Sequence, residues 1–185
     1  VWFNKQVSCV NGPFSPIEKP RVSDALDYEC ELAFVIGKSC RHVKAEDASS
    51  VIAGYMIAND VTVRDWQLHT PTWTIGKSFD THGPIGPALV TPDEIEDPHN
   101  LDIRLYVNDE IRQDSNTSDM IYNCFDMIEY LSTVFTLEPG DIFATGTPEG
   151  VGTGFDPPKF LKVGDTVRCE IEGLGAIENE VIPEQ

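Results

Sequence analysis

The amino-acid sequence predicts a mainly β fold with few helices, an α+β chain arranged as a mixed β-sandwich roll rather than a doubly wound α/β sheet. Three observations predict it. Apolar residues alternate with period two in several stretches, Gly, Pro, Asn and Asp close those stretches into turns, and only one segment has clear helical spacing. The clearest strand runs from Tyr28 to Ile36, where Glu29, Glu31, Ala33 and Val35 alternate with Cys30, Leu32, Phe34 and Ile36, so that both faces read as largely buried. A second apolar run, Val51 to Val63, breaks at Asn59-Asp60. Leu101 to Val107, the turn Asn108-Asp109 and Ile111 to Gln113 read as a hairpin. Near the C-terminal end Val167, Cys169 and Ile171 alternate with charged residues, Gly173-Leu174-Gly175 turns the chain, and Ala176 to Ile182 returns as the partner strand. Helical spacing occurs at Phe125, Ile128, Leu131 and Val134/Phe135, with Asp126 in the first turn and Pro139-Gly140 as the stop. A shorter helix is expected around Glu46 to Ile52, and loops at Thr70 to Trp73 and Gly150 to Lys159.

With 185 residues, 41% of them apolar, and no internal repeat or linker, a single domain over 1–185 is expected. Lys and Arg total 13 against 31 Asp and Glu, a formal charge of −18, which argues against nucleic acid or an anionic membrane as partner. Most of these carboxylates read as a solvated surface. Cys9, Cys30, Cys40, Cys124 and Cys169 include no CxxC pair and suit reduced thiols better than a disulfide framework or a zinc cluster. No apolar run approaches the roughly 20 residues that span a bilayer. Val1-Trp2-Phe3-Asn4-Lys5 has no signal-peptide layout, so a soluble, cytoplasmic protein is expected.

A period of two puts Glu29 and Glu31 on one strand face, where like-charge repulsion disfavours ionising both unless something offsets it. A hard divalent cation does so, and oxygen-only ligands favour Mg²⁺, Mn²⁺ or Ca²⁺ over zinc. For the pair alone, a solvent-facing Glu-x-Glu on an edge strand competes; the interleaved Cys30, Leu32, Phe34 and Ile36 weigh for an interior strand. Asp60, at the end of an apolar run and just before Arg64-Asp65-Trp66-Gln67, is a candidate third ligand, although an Asn-Asp pair also suits a turn. In Gly76-Lys77-Ser78-Phe79-Asp80 the lone Lys77 reads either as a surface lysine or as a cation for a substrate carboxylate or carbonyl. Thr145-Gly146-Thr147-Pro148-Glu149-Gly150-Val151-Gly152 is a glycine-rich loop after a strand, whose backbone N–H groups can receive an anion. It lacks the Gly-Lys-Ser/Thr ending of a phosphate-binding loop, which argues against nucleotide.

The segments Asp27 to Lys38, Ala53-Gly54-Tyr55, Asn59-Asp60, Arg64 to Gln67, Gly76 to Asp80, Gly83 to Pro87 and Thr145 to Pro148 occur in the order seen in the fumarylacetoacetate hydrolase superfamily. Over nearly its whole length the chain resembles the small members of that superfamily, the acylpyruvases and bacterial diketo-acid hydrolases among them. The resemblance implies a homodimeric mixed β-sandwich roll with Mg²⁺ or Mn²⁺ held by Glu29, Glu31 and Asp60. It also implies catalytic roles for Lys77 and Arg64, and substrate contacts at Gln67, Thr147 and the neighbouring Gly146. Such proteins carry an Asn-Tyr-x-x-His stretch and a nearby Glu on a mobile lid, upstream of the Phe-x-Lys segment that matches Phe3-Asn4-Lys5. No such stretch occurs here, and the expectation is that it lies in a preceding region absent from this sequence. His82, near Asp80, reads as a satisfied core or outer-layer histidine; His42, His69 and His99 stand in polar or loop-like context, and none is assigned as a base.

The activity expected from this resemblance is hydrolytic C–C cleavage of a small anionic 2,4-diketo acid of the acylpyruvate or fumarylpyruvate type. The metal would chelate the 2-oxo acid end, Lys77 and Arg64 would stabilise developing negative charge, and the lid base would deliver water. Oxo-acid decarboxylation and keto–enol isomerisation are the alternatives, since they need the same enolate stabilisation without attacking water. A catalytically silent dimeric relative is a third possibility, and a plain Ca²⁺-binding module would need an oxygen-rich loop that these strands do not offer.

Overall fold

The structure is a computed structural model that describes residues Val1–Gln185. Seven strands form the first half of the chain: β1 (Val10–Asn11), β2 (Ile17–Lys19), β3 (Leu26–Asp27), β4 (Cys30–Ile36), β5 (Ile52–Asn59), β6 (Thr62–Val63) and β7 (Gly83–Val90). The rest are β8 (Asp102–Val107), β9 (Glu110–Asn116), β10 (Ile142–Ala144), β11 (Thr166–Ile171) and β12 (Gly175–Pro183). The α-helices are α1 (Arg64–Gln67), α2 (Thr74–Lys77) and α3 (Cys124–Val134). The chain is mostly strand with few helices, as its alternation indicates.

One five-stranded sheet has the order β1-β7-β5-β4-β10 and the other β2-β12-β11-β8-β9, with β3 and β6 pairing separately. Their inner faces enclose a cluster of 31 buried residues. From β4 it takes Cys30, Leu32, Phe34 and Ile36, which meet Leu105 of β8 and Val167 and Cys169 of β11 in the same cluster. The alternate residues of β4 lie on the other face, where Ala33 and Val35 pack with Met56 and Ala58 of β5. Every residue of β4 is buried, which is why its sequence is apolar on both phases of the alternation. α3 starts where Asn123 caps the amides of Phe125 and Asp126 while the Asp126 carboxylate accepts from Asn123 N, a capping box.

Three elements differ from expectation. The ladder of β4 begins at Cys30 rather than Tyr28, because side chains take the preceding amides: Tyr28 N donates to Asp27 Oδ1 at 2.9 Å and Glu29 N to Asn59 Oδ1 at 3.0 Å. The helix expected around Glu46 to Ile52 is a 3₁₀ turn over Ala45–Val51, after which Ile52 enters β5. β7 had no strand signal, since Pro84, Gly86 and Pro87 punctuate it. It is tolerated because β1 pairs only with Gly83 and Pro84, which leaves the Pro87 side of the strand at an open edge.

Candidate metal centre and substrate site

The site forms where the lead-in to β4, the end of β5 and helices α1 and α2 converge. Glu29 and Glu31 share a face of β4 and its lead-in, and Cys30 pairs with Asn59, so Asp60 emerges beside them, its N–H donating to Glu29 O at 2.9 Å. The short β3–β6 pair sets Asp27 opposite Thr62, and α1 begins directly after β6 with Arg64. α2 ends on Lys77 and packs against α1 through Gly76, where a Cβ would stand 2.2 Å from Gln67 N. Glu29, Glu31 and Asp60 are all buried, and each offers a carboxylate oxygen within 4.8 Å of the other two.

Cations compensate two of these three carboxylates. Lys77, only 1% exposed, donates to Glu29 Oε2 at 2.9 Å and to Asp60 Oδ2 at 2.6 Å. Lys5 donates to Asp60 Oδ1 at 2.7 Å and also to the carbonyl of Lys77. Arg64 reaches Glu29 Oε1 at 2.6 Å, Asp27 Oδ2 at 2.7 Å and Gln67 Oε1 at 3.3 Å. Glu31 instead accepts a backbone N–H, from Gly146 at 2.7 Å. Burial pushes the Glu31 carboxyl well above its ordinary range, and the charges of Asp60 and Glu29 push it further, against the Gly146 N–H and Lys77. Burial would raise Asp60 too, but Lys5 and Lys77 outweigh it and hold that carboxyl below its ordinary value. For Arg64 burial favours the neutral form, and Glu29 and Asp27 overcome it and raise the guanidinium's pKa.

Three hard oxygen donors, one of them without a cation of its own, fit a divalent cation of the Mg²⁺ or Mn²⁺ type better than zinc. A second unmet demand lies beside it: Arg64 Nη2 is buried without a hydrogen-bond partner. The Phe3 ring centroid lies 5.0 Å from Lys77 Nζ and packs on Trp73, which keeps that side of the lysine apolar.

The structure thus gathers Glu29, Glu31, Asp60, Arg64, Gln67, Lys77 and Gly146 into one site. Thr147 lies beside them with its hydroxyl engaged, donating to Cys30 O at 2.9 Å and accepting from Gln113 Nε2 at 2.8 Å. The histidines stay out of this network. His82 is buried with Nε2 2.9 Å from Glu18 O, and burial lowers its pKa to about 4; His99 accepts from Cys124 N at the start of α3, and His42 and His69 are exposed. Sequence reasoning passed over Lys5, Asp27 and Gln113. Asp27 had a signal, standing two residues before Glu29 as Glu29 stands before Glu31; Lys5, 55 residues from Asp60, had no signal but its place in the Phe3-Asn4-Lys5 segment of the resemblance.

The family model of the fumarylacetoacetate (FAA) hydrolase C-terminal domain matches residues 1–182. The chain is 52% identical over 182 residues to the mitochondrial oxaloacetate tautomerase fahd2 of Xenopus laevis, covering 97% of this chain and 57% of that protein, so it spans little more than half of that relative's length. Among solved structures, fumarylacetoacetate hydrolase from psychrophilic Exiguobacterium antarcticum matches with a TM-score of 0.96 at 41% identity, over 100% of this chain and 66% of that one. The 5-carboxymethyl-2-hydroxymuconate delta-isomerase of Mycobacterium smegmatis gives a TM-score of 0.89 at 40% identity, over 98% of this chain and 68% of that one. On the family match, the identity along almost the entire chain and the shared fold, the chain belongs to the fumarylacetoacetate hydrolase family.

Proposed function

We propose that the protein catalyses keto–enol interconversion of a small dicarboxylic 2-oxo acid of the oxaloacetate type. The observation that carries this reading is the buried Lys77 ammonium held between Glu29 and Asp60. An ammonium has three N–H donors, and two are committed to these carboxylates, which leaves one for an enol or enolate oxygen. Enol-to-keto conversion moves a proton from that oxygen to the neighbouring carbon, while the C=C electron pair becomes the new C–H bond; no atom is gained or lost and no water attacks. Arg64, through its unpartnered Nη2, takes a substrate carboxylate, with the Gln67 amide beside it. Glu29, Glu31 and Asp60 would hold Mg²⁺ or Mn²⁺, which when bound supplies Lewis-acid polarisation of the oxo group. The tautomerase relative, 52% identical, supports this choice over the hydrolysis expected from the sequence.

Hydrolytic cleavage of a 2,4-diketo acid is the second reading, favoured by the resemblance in fold to the fumarylacetoacetate hydrolase of Exiguobacterium antarcticum. It requires a water-activating base beyond the groups described above. The test is to follow loss of the enol absorbance of oxaloacetate and cleavage of an acylpyruvate side by side, using the full natural chain with Mg²⁺. Faster ketonisation with little cleavage is expected; efficient cleavage without any acceleration of ketonisation would overturn the proposal. The working unit is taken to be a homodimer, checked by sedimentation of the 20.5 kDa chain at twice that mass.

A further inference from the structure

Asp27 is fully buried, and its two oxygens accept four hydrogen bonds. Oδ2 accepts from Arg64 Nε at 2.7 Å and Thr153 N at 2.9 Å; Oδ1 accepts from Gly152 N at 2.7 Å and Tyr28 N at 2.9 Å. One carboxylate therefore joins the guanidinium to the backbone of the far end of the glycine-rich loop. The fit leaves no room for a side chain, because a Cβ on Gly152 would stand 2.6 Å from Asp27 Oδ1 and 2.5 Å from Lys159 O. Arg64 Nη1 is engaged by Glu29 and Gln67, so with Asp27 removed Glu29 would be the one anion left to the guanidinium. Arg64 would then be drawn toward the carboxylate trio and its Nη2 would lose its fixed direction.

We propose that Asp27 is a positioning residue that fixes the direction of Arg64 Nη2 and ties the Gly152–Thr153 turn to Arg64, so that the substrate-binding cation and the end of the glycine-rich loop respond as one unit. The proposal rests on the reading that Arg64 takes a substrate carboxylate, and it does not depend on which reaction follows. It is tested with a double-variant cycle of Asp27→Asn and Arg64→Lys in the full natural chain. Oxalate binding in the presence of Mn²⁺ is measured by titration calorimetry, and KM and kcat are measured on oxaloacetate. Asp27→Asn should weaken oxalate binding and raise KM by about tenfold while kcat changes much less, and it should add almost nothing in the Arg64→Lys background, because a lysine has no Nε to be aimed. A lower melting temperature with unchanged oxalate affinity, or losses that simply multiply in the double variant, would overturn it. Should Asp27→Asn fail to fold, Arg64→Lys alone should speed amide exchange at Gly152 and Thr153, whose amides donate to Asp27 rather than touch Arg64; unmoved exchange there overturns the coupling. Absence of keto–enol catalysis with a non-additive oxalate cycle would sink the reaction assignment and leave Asp27's role standing.

Discussion

Glu31 carries the electrostatic tension of the site, because its two acidic neighbours have cations and it has a backbone amide. Its pKa is raised in the folded state above the ordinary value of 4.5, so the stability that comes from protonating it is complete below about that pH and is lost as pH rises through the folded value. The metal-free protein should therefore lose melting temperature on going from mildly acidic to alkaline solution, and Glu31→Gln should flatten that slope. A metal ligand must be ionised, so the rise in melting temperature given by Mg²⁺ should grow over the same range in the wild type, by about 2–4 °C for each kcal/mol of binding recovered. Thermal melts with chelator and with Mg²⁺ across that range check both; a Glu31→Gln slope equal to the wild type's would count against the assignment. Lys77 separates stability from chemistry. Lys77→Met leaves Glu29 with Arg64 alone and Asp60 with Lys5 alone, a loss of about 1–3 kcal/mol in metal-free protein that Mg²⁺ should largely restore. It should also lower kcat by roughly 10²–10³-fold, which Mg²⁺ should not restore. Recovery of kcat along with the melting temperature would make Lys77 purely structural.

At the scale of elements, the contact of α1 with α2 sets the distance between the two groups assigned to substrate. Gly76→Ala places a methyl 2.2 Å from Gln67 N and 2.3 Å from its Cα, both backbone atoms, so one helix has to move. Overpacking of this kind typically costs about 1–3 kcal/mol. A displacement near 1 Å between Lys77 and Arg64 should lower kcat/KM on the order of 10²-fold, read from kinetics at a temperature where circular dichroism shows the variant folded. Unchanged kcat/KM would mean that the two helices do not register the site. The strands were legible wherever burial follows the pleat: the alternation of Cys30, Leu32, Phe34 and Ile36 identifies the inner face of β4 without any structure. β7 was not, because Pro and Gly signal a turn unless the neighbouring strand is known to leave that edge open. The start of β4 was also misplaced, since the amides of Tyr28 and Glu29 are taken by side chains whose reach no periodicity expresses.

For the whole molecule, the acidic trio and Lys77 could be proposed from spacing, local context and family resemblance, but the way they are neutralised could not. Lys5, Arg64 and Gly146 reach the trio from three separate stretches of chain, and long-range pairings of this kind leave no local pattern. The fold supplies them by running β5 back along β4 and carrying the loop after β10 over the same strand end. The net charge of −18 also makes the local cations decisive, since an anionic substrate is repelled until it comes within about a Debye length of Lys5, Lys77 and Arg64, roughly 8 Å at physiological salt. The central claim is that a divalent cation on Glu29, Glu31 and Asp60 and proton transfer at the enol of a 2-oxo acid belong to one site. The most direct test is the rate of enol-oxaloacetate ketonisation as Mg²⁺ is titrated into chelator-treated wild type and Asp60→Ala. Saturable activation in the wild type and a flat, near-background rate in the variant is the predicted result; equal rates for the two proteins, or full activity with chelator alone, would contradict it.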